Sequence, residues 1–102
     1  MPAKRALIMH PSDNVATAVE EIQPGAEVAI PMGHGILVIR AGETIPFGFK
    51  IALQDIAQGE VIRKYGETIG IAGEPIAKGT LVHIHNLEGT RARGDLERRS
   101  EG

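Results

Sequence analysis

The chain has 102 residues, with 13 Gly, 6 Pro, no Cys and a formal net charge of −2 at pH 7. This length is typical of one domain, the missing Cys excludes disulfides and thiolate metal sites, and the charge provides no basic surface for nucleic acid. No apolar run is long enough for a membrane-spanning helix, so we expect a cytoplasmic protein without membrane or nucleic-acid partners. Ile and Val far outnumber Leu, which indicates short strands and many turns rather than a helical bundle.

The N-terminal part contains the one segment for which the sequence predicts a helix. Residues 7–9 are apolar and typical of a strand. Ser12 or Asp13 can cap a helix over residues 15–22, because either side-chain oxygen can accept a hydrogen bond from an unpaired backbone N–H. The apolar residues at i, i+4 and i+7 of this segment would then form one buried stripe, and Pro24 would end the helix.

The middle of the chain is typical of strands separated by turns. An I-x-x-G pattern at Ile22, Ile56 and Ile76 predicts an Ile that enters the core, followed by a glycine turn. Three copies at unequal spacing are typical of a small pseudo-symmetric β fold rather than of a solenoid. The further predicted strands are residues 27–30, 36–40, 49–53, 61–64, 68–72 and 81–85.

The C-terminal end differs in composition from the rest of the chain. Beyond residue 90, Arg, Asp and Glu predominate and few apolar side chains remain. A segment of this kind cannot bury enough apolar surface to offset the conformational entropy that ordering would cost. The sequence therefore predicts one domain over residues 1–90 and a mobile, charged tail over residues 91–102.

Two histidines, His83 and His85, are separated by one residue in the last predicted strand. Residues i and i+2 of a strand project from the same face, and two neutral imidazoles suit a divalent first-row metal. The alternative is that both are edge-strand histidines bonded to backbone or water. The spacing from Gly79 to Glu88 around the pair does not follow the cupin pattern, and no second cupin motif is present.

Two other groups of polar residues are candidates for ligand binding. His10, Asp13 and Asn14 lie at the predicted strand-to-helix junction, where backbone N–H groups can bind an anion; the alternative is that Asp13 only caps the helix. Lys64 and Tyr65 end a predicted strand, and their ammonium and phenol can bind a substrate carboxylate or hydroxyl. In the alternative interpretation, Tyr65 covers the core and Lys64 is solvated.

Four segments occur in a fixed order along the chain. They are His10-x2-Asp13-Asn14-Val15-Ala16, Gly48-x-Lys50-Ile51-Ala52-Leu53, Ile62-x-Lys64-Tyr65-Gly66 and Val82-His83-x-His85-Asn86. Together they resemble the SAF-type small domain of the altronate/galactarate dehydratase family over about residues 7–95. The resemblance implies a small, mostly β, β-clip (SAF-like) fold, to which the sequence pattern adds one short N-terminal helix and many turns.

The resemblance also implies a function. It points to the small subunit of a two-subunit sugar-acid or hydroxy-acid dehydratase or lyase, inactive without a large catalytic subunit. The family implies β-elimination from a hydroxy-acid substrate with a divalent metal, iron or manganese, held either by this chain or by the large subunit. The alternative is a non-catalytic SAF-type binding or assembly module, and the sequence leaves a homo-oligomer open.

The matching positions carry over as expected site residues. Phe49 stands where family members usually have His, so any contact that this His makes in relatives is absent here. The expected metal ligands are His83 and His85. The expected substrate-binding residues are His10, Asp13, Asn14, Lys50, Lys64, Tyr65 and Asn86.

Overall fold

The computed structural model describes residues 3–89, which form nine strands and no helix. The strands are β1 (Lys4–Leu7), β2 (Val15–Ala18), β3 (Glu27–Met32), β4 (Gly35–Arg40), β5 (Lys50–Ala52), β6 (Val61–Lys64), β7 (Glu67–Ala72), β8 (Leu81–Val82) and β9 (Leu87–Gly89). This part of the chain therefore has no helix that could cross a membrane. The mostly β prediction is confirmed, and the tail predicted at 91–102 lies outside the described residues.

The helix predicted over residues 15–22 is wrong, because Val15–Ala18 forms strand β2. This strand pairs antiparallel with both β1 and β5. Val15 belongs to one buried cluster, whereas Ala16 and Ala18 belong to another, so both faces of β2 are covered. A strand with two buried faces lacks the alternation of apolar and polar residues that marks a half-buried strand, and its apolar residues can match a helical spacing by chance.

The strands form two sheets. The larger has six strands in the order β4-β3-β1-β2-β5-β8, and the smaller has three in the order β6-β7-β9. Strands β1 and β3 are parallel, whereas the other pairs are antiparallel. Ile51 and Ala52, adjacent on β5, enter different apolar clusters, so this part of the larger sheet separates two cores. The second core, which includes Ile62 of β6, joins the two sheets.

The I-x-x-G pattern is part of a longer repeat, A-x3-I-x2-G, that occurs four times within residues 3–89. The copy that the sequence analysis did not predict ends in Ile45-Pro46-Phe47-Gly48. Every Ala and Ile of the repeat is buried. The glycines have φ between 85° and 87°, a left-handed conformation that explains why Gly is used. The copies begin at Ala18, Ala41, Ala52 and Ala72.

The four copies associate in two pairs. Ile22 and Ile45 exchange two backbone hydrogen bonds of 2.9 and 2.8 Å, and Ile56 and Ile76 do the same at 2.8 Å each. In both pairs, each glycine N–H donates to the carbonyl of the Ala in the partner copy, as Gly79 does to Ala52 at 2.9 Å. The chain therefore reverses at four similar turns, which confirms the predicted pseudo-symmetry.

Candidate functional site

Asp13 binds the turn between β6 and β7. Its side chain is buried; Oδ2 accepts a hydrogen bond of 3.0 Å from the Tyr65 N–H, and Oδ1 accepts one of 2.8 Å from the Gly66 N–H. The His10 ring packs on the same turn, because a Cβ added to Gly66 would lie 2.9 Å from ring carbons of His10. Asp13 therefore caps a turn 52 residues further along the chain, and not a local helix.

Asn14 binds the strand that leads into this turn. Its buried side-chain Nδ2 donates to the Val61 carbonyl at 2.9 Å, and its Oδ1 accepts from the Arg63 N–H at 2.8 Å. The amide thus donates one hydrogen bond to the backbone of β6 and accepts one from it, as the backbone of a neighbouring strand would. Asp13 and Asn14 together fix β6 and the turn after it.

Tyr65 has an unusual backbone conformation at this turn. Its φ is +61°, and it is the only non-glycine residue among the described ones with a positive φ. A tyrosine in this conformation is strained, and the hydrogen bond from its N–H to Asp13 helps to hold it there. Its side chain is 61% exposed, and the Lys64 Nζ lies 5.1 Å from the ring centroid. The turn thus presents a phenol and an ammonium side by side.

The surroundings of Lys50 disfavour its charged form. Burial lowers the pKa of Lys50 below its ordinary 10.5, and the positive charge of Lys64 lowers it further. Lys50 is half-buried on β5, in a cross-strand row with Thr17 and Val82. Val82 belongs to the second core. Lys50 therefore lies at the edge of the second core.

His10 also lines a groove of about 530 Å³. The walls of this groove are residues 8–11 and residues 31–34, which include the turn between β3 and β4. The Nδ1 atom of His10 is 2.9 Å from Ser12 Oγ, so that side of the ring already has a partner. The groove and the turn at Tyr65 are therefore adjacent, with His10 between them.

His83 and His85 do not lie on a strand. The strand predicted over residues 81–85 ends at Val82, so the shared-face argument for the two imidazoles is wrong. Asn86 closes the turn that replaces it: its Oδ1 accepts from the His83 N–H at 2.9 Å, and its Nδ2 donates to the Leu81 carbonyl at 2.8 Å. The His83 ring packs against Phe49, with a centroid distance of 4.6 Å.

The metal that the resemblance implies has no complete set of ligands in residues 3–89. This part of the chain contains no group of three or more His, Asp or Glu side chains that could hold an ion. His83 packs on a phenyl ring, and His85 is exposed in the turn. The described residues therefore do not form a metal site by themselves, and metal binding by His83 and His85 stays a prediction.

The structure brings most of the expected substrate-binding residues together. We call His10, Asp13, Asn14, Lys64 and Tyr65 the turn cluster. Lys50 lies on β5 opposite Thr17 of β2, and Asn86 belongs to the separate turn between β8 and β9. The sequence did not reveal that Asp13 and Asn14 bind the backbone of β6 and of the turn after it through their side chains. No local pattern indicates either contact, because the partners come from different strands.

Comparison with known proteins gives a consistent result. Residues 4–90 match the family model described as the altronate/galactarate dehydratase SAF domain. Altronate dehydratase of Escherichia coli is 40% identical over 78 residues, which are 76% of this chain and 15% of that protein. Altronate dehydratase of Bacillus subtilis is 37% identical over 85 residues, which are 83% of this chain and 16% of that protein.

A shorter match is to a protein whose length is closer to that of this chain. The alpha subunit of (2R)-sulfolactate sulfo-lyase from Chromohalobacter salexigens is 39% identical over 49 residues. These residues are 48% of this chain and 52% of that subunit. The chain thus spans a small part of each altronate dehydratase and about half of the sulfo-lyase subunit.

Proposed function

Because the chain belongs to the SAF-domain family of the altronate/galactarate dehydratases, we propose that it is the small subunit of a hydroxy-acid dehydratase or lyase. It would act beside a larger catalytic part and be inactive without it. The altronate dehydratases support this division, because the region similar to this chain is only 15% and 16% of their lengths. The sulfo-lyase subunit supports a small chain as a separate polypeptide.

The observation that carries this proposal is that the turn cluster contains two kinds of polar side chain. Some are buried and bond to the backbone, and others are accessible to a ligand. Asp13 and Asn14 are buried and use their side-chain oxygens on backbone N–H groups, so they act as positioning residues. Tyr65 is exposed and Lys64 is half-buried, so both can reach a ligand. A strained, rigidly held turn that presents a phenol and an ammonium is typical of a binding site.

The negative charge that develops during a β-elimination explains what the Lys64 ammonium and the Tyr65 phenol would do at this turn. Removing a proton next to a carboxylate adds negative charge to a group that is already anionic. A nearby ammonium such as that of Lys64 stabilises this charge, and the Tyr65 phenol can hydrogen-bond to a substrate hydroxyl. By covering the substrate, the domain would also exclude water.

Activity assays on a chimera test the proposal. We expect the purified chain to catalyse no elimination from altronate, galactarate or sulfolactate, with or without added iron or manganese. In the E. coli altronate dehydratase, replacing the matching segment with residues 4–90 of this chain should preserve altronate dehydration. Deleting that segment should abolish the reaction, because the substrate would lose contacts made only by the small domain.

Two outcomes would contradict the proposal. Turnover by the isolated chain would show that it needs no larger part. A folded chimera as inactive as the deletion variant would favour a non-catalytic binding or assembly module instead. Circular dichroism and the melting temperature of each protein show whether loss of activity reflects loss of folding.

A further inference from the structure

We propose that strand β4 is an interface at which two copies of this chain pair edge to edge. The two β4 strands run antiparallel across a twofold axis at Leu37, and they join the six-stranded sheets of both copies into one continuous sheet. This inference goes beyond the proposed function and does not rest on it.

The first support is the unpaired edge of β4. This strand is at one end of the larger sheet, beside β3. Pro31 of β3 has no backbone N–H, so it cannot exchange hydrogen bonds with its partner Ile36, and the backbone groups of Ile36 point away from β3. The two kinds of pair alternate along an antiparallel ladder, so the backbone groups of Val38 also point away. Within residues 3–89, no side chain or turn bonds to these groups.

Two other edge strands of the sheets are closed by side chains. On β6, the Asn14 side chain bonds to the backbone at 2.8 and 2.9 Å. On β8, the Leu81 N–H donates to Glu43 and the Leu81 carbonyl accepts from Asn86, each at 2.8 Å. Such contacts, charged residues and bulges are the usual protection of an edge strand against pairing. Residues 35–39 of β4 have none of these within the described part of the chain.

The second support is the exposed apolar surface of β4. Ile36 and Val38 project from the same face of the strand and are 67% and 53% exposed. Leu37 projects from the opposite face and packs against the apolar cluster that contains Ile30. A second β4 strand therefore contacts apolar side chains on both faces of the sheet and removes part of their surface from water.

The sequence of β4 identifies a second copy as the partner, because the strand is complementary to itself. With Leu37 on the twofold axis, Ile36 of each copy is opposite Val38 of the other, and each such pair exchanges two backbone hydrogen bonds. The pairing stops before Arg40, because Gly79 lies so close to the Arg40 carbonyl that an added Cβ would overlap it. A parallel pairing would place the two Arg40 side chains next to each other, whereas the antiparallel pairing keeps these like charges apart.

Cross-linking at single cysteines tests the pairing, because the chain has no Cys of its own. In Leu37→Cys the two cysteines form a non-hydrogen-bonded pair, with Cα atoms about 4.5 Å apart, a distance that a disulfide spans. In Val38→Cys they are offset along the strands by about 7 Å, which is too far. With oxidised glutathione, Leu37→Cys should form a covalent dimer at least about tenfold faster than Val38→Cys or Ile84→Cys. Exposure alone predicts the reverse order, since Leu37 is the least exposed of the three.

Sedimentation velocity of the full chain provides a second test. At about 5–500 µM, the chain should show a reversible equilibrium between monomer and dimer. Val38→Pro removes an N–H that bonds to the second copy but not to β3, and Ile36→Lys adds a charge at the interface. Each should raise the dimer Kd at least about tenfold. The matched control Ile84→Lys, at an 83% exposed residue of another turn, should change it less than about twofold.

Three results would overturn the inference. A chain that stays monomeric at about 500 µM would exclude the interface and leave β4 to a different partner, such as the larger catalytic part. A dimer that Val38→Pro and Ile36→Lys leave unchanged would place the contact elsewhere. Equal cross-linking rates for the three cysteine variants would exclude a twofold axis at Leu37. Circular dichroism and the melting temperature show whether each variant is folded.

Discussion

Gly79→Ala is expected to lower the free energy of unfolding by roughly 3–5 kcal/mol. Gly79 has a φ of +87°, and a Cβ at this position would overlap the backbone oxygen of Arg40. The neighbour is backbone rather than a flexible side chain, so a real shift of the chain is required. That shift would disturb the 2.9 Å hydrogen bond between the Gly79 N–H and the Ala52 carbonyl, which joins two copies of the repeat.

Gly59→Ala is the matched control for this prediction. Gly59 occupies the same place in its copy of the repeat with a φ of +86°, but no atom lies within 4 Å of its added Cβ. It should therefore lose only the roughly 1–2 kcal/mol that a left-handed alanine costs. Urea unfolding of both variants measures the difference. Equal destabilisation would show that the close approach of Gly79 to Arg40 is not a fixed feature of the fold.

Asp13→Ala is expected to cost about 3 kcal/mol of unfolding free energy. The substitution removes both acceptors that bind the Tyr65 and Gly66 N–H groups, at 3.0 and 2.8 Å. It also releases a tyrosine held at a φ of +61°, so the turn should relax and Tyr65 should become more mobile. The free energy from urea unfolding and the ¹⁵N relaxation of residues 64–66 measure these two effects.

Asp55→Ala provides the comparison for Asp13→Ala. Asp55 also accepts a backbone hydrogen bond across the chain, from the Lys78 N–H at 2.9 Å, but it makes one such bond and is exposed. Its loss should cost about 1 kcal/mol or less. If Asp13→Ala is no more destabilising than Asp55→Ala, the turn cluster does not depend on Asp13, and its positioning role is wrong.

Strands with one buried face were the ones that the sequence pattern predicted best. The predicted strand over residues 61–64 coincides with β6, and those over 27–30 and 36–40 fall within β3 and β4. In β3, buried Val28 and Ile30 alternate with residues that are more exposed, which is the pattern that a sequence can show. Strand β2 lacks this pattern because both of its faces are covered, so its prediction failed.

The candidate site was predictable in its residue types but not in its contacts. The resemblance placed Asp13 and Tyr65 in one site, yet no local rule reveals that a side chain at one position caps a turn 52 residues later. For His83 a local signal did exist: Asn favours turns, and Asn86 bonds the His83 backbone.

The kinetics of Lys64→Met in the altronate dehydratase chimera test most directly whether this chain contacts the substrate while a larger part performs the catalysis. We predict that kcat/KM for altronate falls at least about tenfold, because one ammonium that stabilises the developing charge is lost. The melting temperature should stay within about 2 °C, since Lys64 forms no ion pair among the described residues. Lys78→Met should change neither value. A Lys64→Met chimera with the kcat/KM of the unsubstituted chimera would contradict the role of this chain in binding the substrate.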